Sequence, residues 1–527
     1  MSAASTESAS SRGKPANIRT VAVIDCGTTS IRLAVAEIND SGEIRHLTTL
    51  SQAANLGKDA FRKGAIDRAT IEECVRILKS YRRVMREYQI VDPSNVRIVA
   101  TSAVREASNH LAFVDRIYIA TGLEVDVIDE SEVNRITYLG VQSLLQSEMM
   151  AGKRAVVVEV GGGSTELLLV REGDVAFSNS YRLGSVRLRQ ILEGYRTNAP
   201  RLRTIMESQI KRFVDQIARQ IGQLGECEMV SLGGDMRFAA SQLIPDWNPR
   251  ELSAVPITAL SKLVERLLGM SDEELAHKFK LDFQDAETLG PALLSYLRLA
   301  QALKQEQILV SNVSLRDGLL HELALREAWT EEFSNQVTRS ALDLGRRYNF
   351  DENHAVHVAA LSKTLFQSLR DEHRLDGRYE VILYLAALLH EVGLFISHRS
   401  YHKHTMYLIR NSEIFGLGKR ELLLVALVAR YHRRASPQSV HEGYSTLDRE
   451  RRVAVAKMAA MLRVAIALDE SRSQRITEIR YSREDGRLVI GVPNVDDLSL
   501  EQLALRTNGA LFDETFGMQT MLRRIRS

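Results

Sequence analysis

The chain has 527 residues, 45% of them hydrophobic and 26% charged, with nine prolines and a formal net charge of +2, which is ordinary globular composition with material for three or four domains. So even a charge balance announces neither a nucleic-acid binder nor a protein held on an anionic membrane, and no specific nucleic acid is expected as a partner. Three widely spaced cysteines, Cys26, Cys74 and Cys227, make neither a disulfide framework nor a zinc pattern and point to a reducing compartment, the cytoplasm by default.

Residues 1–17, MSAASTESASSRGKPAN, are Ser/Ala-rich with no apolar stretch and read as a disordered tail rather than a signal sequence. No apolar run approaches the ~20 residues of a membrane span; among the longest is LLLVALVA at 422–429. From Val21 the pattern is strand-like: VAVID, a CGTTS turn, IRLAVAEI and then IRHLTTL, a meander. ATIEECVRILKSYRRVMREYQ follows with apolar residues at Ile71, Val75, Leu78 and Val84, the spacing of an amphipathic helix. The strand VRIVATSAV, a helix around Asn109 to Ala120 and the strand EVDVI complete an α/β domain over 18–145.

A second cycle over 146–325 starts with AVVVEV, GGGST and ELLLV. The two cycles open alike, with D-x-G-x-[ST] at Asp25 to Thr29 and E-x-G-x-x-[ST] at Glu159 to Ser164, so an internal duplication with two facing glycine turns is expected. Glycines leave backbone N–H groups unobstructed and tolerate positive φ, which makes such turns phosphate nests. Gly27, Thr28, Thr29 and Ser30 in the first turn, and Gly161, Gly162, Gly163, Ser164 and Thr165 in the second, are the expected phosphate ligands. Carboxylates beside them would repel phosphate unless a cation intervened, so Asp25, Glu159 and Glu166 imply Mg, with Asp25 and Glu159 as its ligands. The turn is neither a Walker A loop, since no GK[ST] follows, nor a dinucleotide fingerprint, since ELLLV is a strand rather than a helix. Gly233 and Gly234 in EMVSLGGDMRFAA read as a helix N-terminus and a further anion site. Arg105, read at the end of a strand, is placed to clamp a phosphate. A bare hairpin turn with solvated acids is the competing reading of any one of these motifs.

After residue 325 the periods become helical, in HAVHVAALSKTLFQSL, YEVILYLAALLHEVGLFI, KRELLLVALVARYH and VAVAKMAAMLRVAIALDE, which marks an all-α domain over 326–480. RLVIGVPN and LSLEQLALRTNGALFDETFG then form a small α+β piece over 481–527.

Seven blocks, VIDCGTTSIRLAVAEI, NLGKDAFRKGAI, ATSAVREASN, VVEVGGGSTELLLV, YRLGSVRLRQ, SLGGDMRFAA and SLRDGLL, occur in the order and approximate spacing of the exopolyphosphatase and guanosine pentaphosphate phosphohydrolase (Ppx/GppA) family. The resemblance implies two ribonuclease H-like lobes of the actin and sugar kinase superfamily around a phosphate cleft. It also implies Mg-dependent release of terminal phosphate from polyphosphate, or of the 5′ γ-phosphate from pppGpp, often by a homodimer. The helical part resembles the HD-type domain that long family members append. His354, His390, His404 and His432 stand where such a domain places its histidines, with Glu391 in place of its Asp and Asp469 as the nearby carboxylate; metal binding and plain packing of buried histidines are the two readings of that set.

Several positions depart from the family pattern. Thr29 replaces an Asn, Glu159 an Asp, and Asp235 a Thr. The run that carries the family's general base is DESEVNRITYLG here; alignment on Arg135 and Gly140 leaves Glu132 at its first glutamate and Val133 at the catalytic one. Glu132 and Glu166 are therefore the expected catalytic acids. A polyphosphate- or guanosine tetra/pentaphosphate-binding regulatory protein that has lost its base is one alternative function, and metal-dependent phosphohydrolysis in the helical domain is another.

Overall fold

A computed structural model describes residues 18–147, 149–150, 152–195, 199–222, 227–325, 331–484 and 486–525; the tail expected at 1–17 lies outside them. The chain divides into two compact units, one of Met1–Ile128, Ile136–Glu166 and Tyr181–Glu327, the other of Asp129–Arg135, Leu167–Ser180 and Ala328–Ser527.

The first sheet contains β1 (Arg19–Cys26), β2 (Ser30–Ile38), β3 (Ile44–Ala53), β4 (Val96–Ala100) and β5 (Asp126–Val127) in the order β3-β2-β1-β4-β5. β1 runs antiparallel to β2 and parallel to β4. Val21 to Ile24 are fully buried, as expected of a central strand covered on both faces, whereas β3 at the edge carries polar, exposed residues. The helix Arg68–Glu87 buries Ile71, Cys74, Val75, Leu78, Tyr81 and Met85 along one stripe; the Tyr81 hydroxyl donates to Ile31 O at 2.8 Å, satisfying the polar end of a fully buried ring.

A second sheet, of β6 (Arg154–Val160), β7 (Thr165–Arg171), β8 (Asp174–Tyr181), β9 (Glu228–Leu232), β10 (Ser253–Pro256) and β11 (Gln307–Val310), has the order β10-β11-β9-β6-β7-β8. Its β6 pairs in parallel with β9, and β9 with β11. Read from the other edge, the order β8-β7-β6-β9-β11 repeats β3-β2-β1-β4-β5, so the duplication read from the two glycine patterns is a repeat of sheet topology. The helix Phe283–Ala302 is buried along most of its length and sends the Tyr296 hydroxyl between two strand ends. It accepts from Val160 N–H at 2.8 Å and donates to Leu232 O, tying β6 to β9 beside the second glycine turn.

The second unit is largely helical. Helices Glu331–Arg347, Glu352–Ser368, Arg378–Leu389, Tyr401–Arg410, Lys419–Arg430 and Arg449–Ala467 supply its core. A three-stranded sheet of β12 (Arg480–Glu484), β13 (Arg487–Val492) and β14 (Gln519–Arg524), order β12-β13-β14, follows with two short helices. The buried Gln336 amide accepts from Val175 N–H at 3.1 Å and donates to Val175 O at 2.8 Å, so one side chain pairs the backbone of an edge strand that would otherwise be left open. No described helix is long and apolar enough to cross a membrane.

Candidate phosphate site between two glycine turns

β1 and β2 are joined by a turn closed by Gly27 N–H donating to Ser30 O at 3.0 Å, and β6 and β7 by Gly161 N–H donating to Ser164 O at 2.8 Å. Each turn is then held from the next helix in its repeat: Gly57 N–H donates to Thr28 O at 2.8 Å, and Val186 N–H to Gly162 O at 3.0 Å. The two patterns that looked alike in sequence are alike hydrogen bond by hydrogen bond.

The glycines serve space rather than the positive φ expected of them. Among the described residues the positive-φ glycines do not include Gly27, Gly161, Gly162 or Gly163. A Cβ on Gly162 would lie 2.8 Å from the Thr28 side chain, and one on Gly163 would lie 2.4 Å from Ser102 Oγ and 2.5 Å from the Phe61 ring. The second turn thus packs directly against the first, which only a residue without a side chain permits. Gly233 is the exception, with φ +98, where it turns the chain from β9 into the helix Gly234–Leu243.

Arg187 ties the second turn to Glu106 and Phe61 of the first repeat. Its Nε donates to Gly163 O at 2.9 Å, its Nη2 to Glu106 at 2.7 Å, and its guanidinium lies 4.1 Å over the Phe61 ring. Three simultaneous contacts of this kind use the planar fork of Arg and are not reproduced by Lys.

Acids and arginines crowd the same place. Asp25 at the end of β1 is buried, and Arg32, its cross-strand partner, approaches it at 3.7 Å. Asp25 Oδ1 and Ser30 Oγ are buried and have no hydrogen-bond partner among the described residues. Burial raises the pKa of Asp25 against the lowering pull of Arg32 and Arg316, and raises that of Glu159 against Arg237, with Asp25 adding to the rise. Glu166 accepts the Ser164 hydroxyl; burial and then the neighbouring Glu159 push it up to about 7. Asp235, in the first turn of the helix Gly234–Leu243, is pushed up to about 7 by burial and by Asp285, with Arg32 and Arg237 opposing. Carboxylates that raise one another's pKa in a buried cluster, one with an oxygen left unpartnered, are suited to a hard divalent cation: Asp25 and Glu159 fit Mg by this chemistry.

The other expected residues fall as follows. Arg105 stands not at the end of a strand but in a short helix, Ser102–Glu106, because Ser102 to Glu106 make one turn after β4; its Nη1 donates to Ile128 O at 2.8 Å, and its charge lowers Glu166. Glu132 lies in the second compact unit, in the first turn of the helix Glu130–Leu145, with its N–H donating to Asp129 at 3.0 Å and its carboxylate 4.0 Å from Arg135. Val133 is buried. In that second unit His354, His390 and Glu391 come together and Asp469 bonds His354; His404 is not part of the group. Arg32, Arg187, Arg237, Arg316, Asp285 and Tyr296 were missed. Arg32 was legible as the residue opposite Asp25 in the hairpin, and Arg187 and Arg316 sat inside quoted blocks; Asp285 and Tyr296 carried no local signal.

A pH dependence follows from these raised acids. A carboxyl raised in the folded state keeps its proton where the unfolded chain has lost it, so stability falls as pH rises from the unfolded carboxylate range to the folded pKa. Glu166 and Asp235, both raised to about 7, are expected to make the metal-free protein melt lower at pH 7.5 than at pH 5. Melting curves of the chain and of Glu166→Gln in chelator check this, and an identical slope in both would refute the assignment for Glu166.

The Ppx/GppA phosphatase family matches residues 34–327, and domain III of Ppx/GppA phosphatases matches 337–506. Among solved structures, the Ppx/GppA family member of Aquifex aeolicus is 26% identical over 60% of this chain and 100% of its own, with a TM-score of 0.48. An exopolyphosphatase from Cytophaga hutchinsonii is 21% identical over 58% of this chain and 98% of its own, with a TM-score of 0.53. Two matches that between them run from the first hairpin to the helix Ser499–Asn508 leave one conclusion: the chain belongs to the Ppx/GppA phosphatase family.

Proposed function

We propose that the chain is a Mg-dependent hydrolase that releases terminal phosphate from inorganic polyphosphate, or the 5′ γ-phosphate of pppGpp. The observation that carries this reading is the pair of equivalent glycine turns packed face to face with Asp25, Glu159 and Glu166 beside them. Ser30 Oγ, without a partner among the described residues, and the guanidinium groups of Arg32 and Arg316 near Asp25 are donors for phosphoryl oxygens. A small open depression beside the first turn is bordered by Thr28, Thr29, Lys58, Arg189 and Gln190, whose amide, hydroxyl and cationic groups suit a polyanionic chain. Mg, when bound, neutralises charge on the transferring phosphoryl group. Glu166 takes the proton of the attacking water, since a carboxylate with a pKa near the working pH is an effective base, and transfer otherwise needs alignment more than covalent chemistry.

Phosphate release from polyphosphate and from pppGpp, with Mg and with chelator, tests the reading. Release from at least one substrate that stops in chelator is expected; none above blank at high enzyme concentration overturns it. A second reading, a binding protein with weakened catalysis, is favoured by one observation: the buried, apolar Val133 cannot accept a proton at the position where the family resemblance places its base.

A further inference from the structure

In the second unit the helix Tyr401–Arg410 packs against Lys419–Arg430, and cations gather where the first begins and the second ends. Lys403 is exposed in the first turn of one; Arg430 closes the other, and Arg433 and Arg434 follow it, both exposed. The Arg433 guanidinium lies 4.9 Å over the Tyr401 ring, and Arg430 Nη1 meets Met406 Sδ at 3.2 Å. Arg433, Lys403 and Arg430 all act on His402, whose pKa is lowered first by burial and then by these charges. Among the described residues none of the four cations is ion-paired, and the carboxylate of Glu442 pairs instead with Arg410 at 2.7 Å.

Folding does not account for this arrangement. The helix dipole favours a cation at the end of Lys419–Arg430, which explains Arg430. The first turn of Tyr401–Arg410, however, holds Lys403 and no acid, and there the dipole disfavours positive charge. Like charges gathered without counter-charges raise the free energy of the folded chain and attract anions. The overall balance of +2 hides the patch, because a sum over the chain carries no positions.

The same face carries a ring. Tyr407 stands one turn beyond Lys403 on the same side of the helix and is 64% exposed, whereas Thr405, Met406, Leu408 and Ile409 are buried on the other side. A ring so exposed adds little to the core and offers a face for stacking. Cations beside a free aromatic ring suit a single strand, whose phosphates meet the cations while a base stacks on the ring. An inorganic phosphate chain has nothing to stack, and the bases of a duplex are already stacked on one another.

We propose that this face of the second unit binds single-stranded nucleic acid without regard to sequence, with Lys403, Arg430, Arg433 and Arg434 on phosphates and Tyr407 under a base.

Fluorescence anisotropy of a labelled oligouridine titrated with the full chain is the test. Binding is expected to weaken with added salt. With Lys403→Gln, Arg433→Gln and Arg434→Gln combined, the slope of log affinity against log salt should fall by about 2, at roughly 0.7 for each lost phosphate contact. Tyr407→Ala, which leaves the charge unchanged, should bind at least about 5-fold more weakly, the lower bound for one lost stack. Circular dichroism shows whether the variants are folded; if the triple variant is not, Arg434→Gln alone takes its place, with a slope change of about 0.7. No binding by the folded parent, an unchanged slope in the folded charge variant, or an unchanged affinity in Tyr407→Ala would each overturn the assignment. The last of these, with polyphosphate displacing the oligouridine at equal phosphate concentration, would give the face to an inorganic chain instead.

Discussion

Glu166→Gln is expected to lower phosphate release by a factor of roughly 10² to 10⁴, the usual worth of a positioned base, while substrate still binds. The amide keeps the size of the carboxylate and still accepts the Ser164 hydroxyl, but it cannot take a proton from water. The variant should also melt no lower than the parent at neutral pH, because burial and Glu159 disfavour the charge that the substitution removes. Glu132→Gln is the paired experiment. Its carboxylate sits 4.0 Å from Arg135 in the first turn of its helix, and a large loss there with an active Glu166→Gln would move the base to Glu132. Val133→Glu separates the two readings of the protein: if catalysis is weakened by a missing base, the added carboxylate raises the rate. In the parent the rate should climb with pH up to the base's pKa, since only the ionised form accepts; a cation beside Glu166 moves that limb below the value of about 7 that holds without one.

Gly318→Ala is expected to be the most damaging single methyl group in the first unit. A Cβ at Gly318 would stand 1.9 Å from Ile136 O and 2.7 Å from Ile136 C, and a Cβ at Gly140 would stand 3.0 Å from Gly318 N. Two helices therefore cross at backbone contact, and no rotamer relieves a clash with a carbonyl. Overpacking of this kind costs about 1–3 kcal/mol or more. The helix Leu315–Ala324 begins beside Arg316, whose charge acts on Asp25, so separating the helices should lower activity along with the melting temperature. Gly377→Ala is the control: among the described residues nothing lies within 4 Å of its Cβ, and its φ of −58 suits alanine. Thermal unfolding of both variants checks the argument, and a Gly318→Ala protein that melts with the parent would show that the crossing is looser than described.

Local chemistry made much of this protein legible. The alternation of apolar runs, glycine turns and 3.6-residue stripes is a property of the chain itself, so β1, β2, β6, β7 and the helix Arg68–Glu87 could be read before any folding was considered. The same holds for the two turns, because D-x-G and E-x-G flanked by strands leave few alternatives, and for Asp25, Glu159 and Glu166 beside them. The role of the glycines was misjudged, however. Their conformational freedom is a local property; the need for space at Gly162 and Gly163 arises only when Thr28, Ser102 and Phe61 arrive from more than fifty residues away.

The helical half divides the same way. His354, His390, Glu391, His404, His432 and Asp469 were all candidates by residue type and approximate position. Which of them meet depends on where four helices end, and the fold joins His354 to Asp469 across 115 residues while leaving His404 outside. Charge was the least legible quantity of all. The sequence by itself determined the repeated strand–turn–strand unit, the helical second half and the residue types around the phosphate turns, since these follow from nearest neighbours along the chain. Only the tertiary structure decided that Arg32, Arg237, Arg316 and Asp285 surround the same acids, that Arg187 ties the second turn to Glu106 and Phe61, and that desolvation and neighbouring acids push Glu166 and Asp235 up to about 7. Desolvation and Coulomb energy depend on distance through space, and distance along the chain does not report it.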